Sequence, residues 1–76
     1  MRYLVIEIQT NAQGTTSYLV YTYTERSLAD QKYYLVLSSA AVSQIPVHTV
    51  VLLTNTGDTL EKRMYTHTME PNNAET

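Results

Sequence analysis

The chain of 76 residues contains no cysteine, no phenylalanine and no tryptophan, and only two glycines, two prolines and five basic residues. Each shortage removes a class of function. Without cysteine there is no disulfide, no thiolate metal site and no thiol nucleophile, which fits a reducing compartment. Two isolated glycines, Gly14 and Gly57, cannot build a phosphate-cradling loop. Five Lys and Arg against seven Asp and Glu give a net charge of −2. Little is left to neutralise phosphates, so no nucleic-acid partner is expected, and the polybasic route to a membrane surface is closed. The apolar runs are too short to span a bilayer. The opening Met-Arg-Tyr-Leu-Val-Ile-Glu lacks the shape of a signal peptide, because Glu7 interrupts its apolar run. A cytoplasmic location is the expectation. A chain this short buries only about 60% of its unfolded surface, so association would reinforce its core.

What is present is one helical stretch between two pairs of strand-like runs. Over Ser27–Ile45 the apolar residues Ala29, Tyr33, Val36, Leu37, Ala40 and Ala41 recur at helical spacing and gather on one face. Ser27 reads as the N-cap, with Asp30 three residues on as a short capping-box partner. Pro46 disfavours the α conformation at Ile45 and marks the end. A second line, Leu28, Leu35 and Val42, lies nearly opposite. It reads either as scattered surface apolar residues or as a seam to a second copy or a partner. It is too short for a coiled coil.

The flanking runs read as four strands, Tyr3–Thr10, Ser17–Thr24, Val47–Asn55 and Thr59–His67. Asn11-Ala12-Gln13-Gly14 and Asn55-Thr56-Gly57-Asp58 are the turns that make each pair a hairpin. A right-handed crossover through the helix that skips one strand places the sheet in the order 2-1-3-4, fully antiparallel. The fold class is therefore α+β, ββαββ, one helix on a four-stranded sheet. It makes a single domain over 1–68, followed by a polar tail from Met69 expected to be disordered. One sheet face takes the helix. The other must present either the Tyr3/Val5 set or the Leu4/Ile6/Ile8 set, and both are apolar.

The chemistry-bearing residues are few. His48 and His67 could face each other across the second hairpin, but two imidazoles without a carboxylate make an incomplete metal site. Ser17, Ser27, Ser38, Ser39 and Ser43 lack the elbow or the His/Asp partners of a nucleophile. No cofactor is expected, and the chain reads as non-enzymatic. Seven tyrosines are the only aromatic residues. Tyr pairs apolar area with a hydroxyl and suits wet interfaces and pockets, although tyrosines in strands also simply satisfy β-propensity. Tyr18, Tyr21 and Tyr23, with Tyr3 beside them, could form a platform at a subunit junction for a nucleotide-like or aromatic ligand. The leading expectation is a homodimer or higher oligomer that binds protein, through the Leu28/Leu35/Val42 line or through a bare sheet face bearing Tyr3 and Val5.

The runs Val-Ile-Glu-Ile-Gln-Thr, Gly14-Thr15, Ala29-Asp-Gln-Lys-Tyr-Tyr, Ala40-Ala41-Val-Ser and Pro46-Val-His-Thr-Val-Val-Leu-Leu carry a resemblance over residues 3 to 67. The chain resembles a group of small uncharacterised proteins from prophages and other mobile elements of gut Firmicutes. That resemblance implies an accessory protein of a phage or mobile element, and a binder rather than an enzyme. It assigns a role to no residue.

Overall fold

Two glycine turns set the course of the chain in the structure, a computed structural model that describes residues 1–67. Strands β1 (Tyr3–Thr10) and β2 (Thr16–Tyr23) are joined where Gly14 takes φ 86° and the Asn11 side chain accepts from the Gln13 and Thr15 N–H groups. Helix α1 (Arg26–Ala41) crosses over, and β3 (Val47–Thr54) and β4 (Thr59–Thr66) form the second hairpin around Gly57 at φ 97°. All three strand pairings are antiparallel and the sheet order is β2-β1-β3-β4, as expected from the sequence. The tail expected from Met69 onward lies outside the described residues.

The helix begins one residue earlier and ends four residues sooner than its periodicity suggests. Its N-cap is Glu25, and no side chain caps the first turn; Ser27 lies inside the helix. Asp30 accepts from Arg26 Nε at 3.0 Å instead of serving a capping box. At the other end the helix stops at Ala41, before Pro46 can act. The reason lies at Ser43, whose hydroxyl is held by His48 and by the Ile45 N–H, a local alternative to another helical turn.

The helix lies chiefly over β3 and β1, the two central strands. Ala29, Tyr33, Val36 and Ala40 are buried there against Val5, Val50 and Leu52. Two alanines, fully buried on the contact face, let the helix backbone approach the sheet closely. A helix is about 10 Å across and the four strands together span about 19 Å. One helix therefore covers half the sheet. On the β4 side the remainder is filled: a bulge opposite Leu52/Leu53 turns Leu60 toward the core, Tyr65 packs beside it, and His67 Nε2 lies 2.9 Å from the Ala40 carbonyl.

Val5 is fully buried beneath the helix, and Tyr3 lies on the same side. The bare face therefore belongs to Leu4, Ile6 and Ile8, and the expectation that Tyr3 and Val5 form part of an exposed interface is corrected.

Burial raises the Tyr33 phenol above its ordinary pKa of 10.0, and the Glu61 carboxylate pushes the same way. The folded state thus keeps a proton that the unfolded chain releases at lower pH. This contribution to stability is intact below about pH 10 and is lost as pH climbs from there through the raised folded value. Tyr33→Phe should consequently shrink the fall in urea midpoint between about pH 9 and about pH 11. An unchanged alkaline slope would mean that another group governs it.

Candidate functional site

Antiparallel pairing assigns every strand residue to a face. On the side away from the helix, Ile6 is opposite Val20 on one neighbour and Val51 on the other. Leu4 is opposite Leu53, and Ile8 lies between Tyr18 and Thr49. Val51 in turn pairs with Lys62 and Thr49 with Met64. The rows build an apolar face with its single charge, Lys62, on the outer strand. Tyr18, Val20 and Met64 are exposed; Tyr18 shows 71% of its surface. No described residue covers this face.

The helix line is exposed as well. Leu28, Leu35 and Val42 all face solvent, with Val42 81% exposed. Tyr34 is exposed too, edge-on to buried Tyr33 at 5.1 Å between ring centres.

The tyrosine platform does not assemble as expected. Tyr21 and Tyr23 pair with Val5 and Tyr3 and pack on the helix side, whereas Tyr18 pairs with Ile8 and points from the bare face. The two-residue strand period separates the trio, because 18 differs in parity from 21 and 23. Basic residues are divided too: Lys62 shares the bare face, while Arg63 lies over Tyr65, Lys32 over Tyr21, and Arg26 is paired with Asp30.

The histidines also part company. The register sets His48 opposite Tyr65, and His67 Nε2 donates separately to the Ala40 carbonyl at the helix end. Instead His48, buried on the helix side, joins Glu7 and Ser43. Its Nε2 is 2.6 Å from Glu7 Oε2, and its Nδ1 is 2.9 Å from Ser43 Oγ. The side chains of Glu7 and His48 are 12% and 3% exposed. A carboxylate can only accept, so His48 Nε2 carries the hydrogen, and Nδ1 shares the second hydrogen bond with the Ser43 hydroxyl. Gln9 Nε2 donates to the same Glu7 oxygen at 2.9 Å. Ser43 therefore does have the His and acid partners that its sequence context conceals. The clue available in the sequence was a lone Glu at a strand position bounded by isoleucines.

The surroundings of this triad-like order disfavour developing negative charge at Ser43. Ser43 follows the carbonyl-rich C-terminal end of α1, where the helix dipole opposes an oxyanion. Its hydroxyl also takes the Ile45 N–H. What the chain of bonds accomplishes is to hold Glu7 in one orientation. Glu7 forms one wall of a cleft of about 230 Å³ between α1 and β2, with Tyr21, Lys32, Leu35, Val36 and Ser39. The Lys32 ammonium lies 4.1 Å from the centre of the Tyr21 ring. Among the described residues no three His, Asp or Glu side chains gather as a metal site, and no helix is long and apolar enough to cross a membrane.

His48→Ala leaves the Glu7 carboxylate without its main donor and should lower the unfolding free energy by about 3 kcal/mol. Glu7→Gln keeps an acceptor for His48 and should cost about 1 kcal/mol. Urea unfolding of both variants checks this order; equal losses would show that the pair acts only as packing.

Set against protein-family models, curated proteins and solved structures, the chain matches none of them.

Proposed function

We propose that this chain is a small non-enzymatic interaction module that self-associates by stacking its bare sheet face on that of a second copy. The observation that carries this reading is the uncovered apolar face of Leu4, Ile6, Ile8, Val20, Val51 and Leu53. Four strands of eight residues, at about 3.3 Å per residue and about 4.8 Å between strands, outline roughly 500 Å². Two such faces in contact bury about 1,000 Å², the lower bound for a specific interface. The face suits its own copy. Lys62 lies on the outer strand, so two sheets packed about 10 Å apart at about −30° need bury no like charges at their centre.

The resemblance to prophage-borne proteins supports an accessory role, in which the assembled module presents its outer surfaces to another protein. The helix line is the competing seam, since Leu28, Leu35 and Val42 are equally unpartnered among the described residues. The area argument favours the sheet, because three side chains on one helix bury far less.

Native mass spectrometry with sedimentation equilibrium tests the reading. The full chain is expected at a multiple of its 8.6 kDa mass. Ile6→Glu, at the centre of the bare face, should return it to a folded monomer with unchanged helical circular dichroism. Leu35→Glu should leave the assembly intact. Dissociation by Leu35→Glu with persistence in Ile6→Glu would move the interface to the helix, and a monomeric parent chain would refute self-association.

A further inference from the structure

The cleft between α1 and β2 is on the opposite side of the sheet from the proposed interface and has its own chemistry. It exists because the helix sits over β1 and β3, leaving the helix-side surface of β2 open where β4 is filled by Leu60 and Tyr65. Its walls combine one negative group, one positive group and an apolar stretch: Glu7, Lys32, and Leu35 with Val36.

Among the described acidic residues, Glu7 is unusual in being almost enclosed yet held by partners on a single oxygen. Both His48 Nε2 and Gln9 Nε2 bond to Oε2, and no described residue donates to Oε1. No buried side-chain oxygen or nitrogen among the described residues lacks a partner, so Oε1 keeps solvent-accessible surface, and Glu7 is one of the residues that line the cleft. A carboxylate held by two donors, one itself anchored by Ser43, is oriented before any ligand arrives. Lys32, one of the cleft's walls, rests against the Tyr21 ring rather than forming an ion pair with Glu7.

We propose that this cleft binds a small apolar α-amino acid. Its ammonium group is taken by Glu7 Oε1, its carboxylate by the Lys32 ammonium, and its side chain lies along Leu35 and Val36. Opposite charges within one cleft that leave each other unpaired fit a ligand carrying both signs. A ligand with only an amine would meet Lys32 as a like charge, and one with only an acid would meet Glu7. The volume of about 230 Å³ falls below the roughly 300 Å³ at which drug-sized pockets begin, so the ligand is compact.

The test is a titration of the isotope-labelled full-length protein with L-leucine, followed by amide chemical shifts. Isopentylamine lacks the carboxylate and 4-methylpentanoate lacks the ammonium, and each serves as a control. Leucine should shift the Glu7, Tyr21, Leu35 and Ser39 amides saturably, and both controls should bind at least about tenfold more weakly, the value of one charge-assisted contact. Lys32→Met, on the helix surface, should weaken leucine about tenfold while leaving the oligomeric mass unchanged. Glu7→Gln should do the same and serves as the second variant, since it retains an acceptor for His48. The proposal is overturned by no saturable shift up to about 10 mM leucine, by controls that bind as well as leucine, or by a Lys32→Met variant that binds unchanged.

Discussion

Everything distinctive about this molecule depends on the close seating of α1 on β1 and β3. Buried Ala29 and Ala40 bring the helix down, and Tyr33 and Val36 fill the space above Val5, Val50 and Leu52. Among the described residues, seven side chains make the buried apolar core. Fully burying a Val or Leu contributes about 1.5–3 kcal/mol, so so small a core leaves little margin over chain entropy. A domain built this way benefits from any surface it can cover by association.

The same seating explains an arrangement that hydrophobicity would not choose. Along β1, Leu4, Ile6 and Ile8 are the more apolar set, whereas Tyr3, Val5, Glu7 and Gln9 include two polar side chains. Yet the second set faces the helix. Glu7 and Gln9 are accommodated because β3 presents His48 there and the carboxylate gains two donors. A buried acid must find partners or neutralise, and this one does so across 41 residues of sequence. The pair is a device for orientation, set at the one edge of the core where the helix leaves a gap.

Strand order, turn positions and the buried helix face were legible in the sequence, because each follows from a local rule. Gly57 supplies a turn, helical spacing gathers the apolar residues of α1 on one face, and alternation marks strands. The choice of sheet face was not legible, since both parities of β1 carry apolar residues and only tertiary contact decides between them. The Glu7–His48–Ser43 chain was hidden for a related reason. His48 and Ser43 are neighbours in sequence, but the acid that completes the set comes from the far end of the chain. The tyrosine platform failed on parity, which the alternation of Tyr18 against Tyr21 and Tyr23 already contained. The helix boundaries were missed because Ser43 bonds to His48 and Ser27 caps nothing.

One geometric shortfall produces both candidate surfaces. A single helix, about 10 Å wide, cannot cover two faces of a sheet, nor the whole of one. The uncovered far face is broad and almost uncharged, features that suit contact with a large matching surface. The uncovered strip beside β2 is narrow and carries opposed charges, features that suit a small polar molecule. Because the sheet separates them, occupancy of the cleft touches α1 and β2 from the side that the interface leaves free. β1 is the element common to both: Glu7 faces the cleft while Ile6 and Ile8, its neighbours in the chain, face the other way.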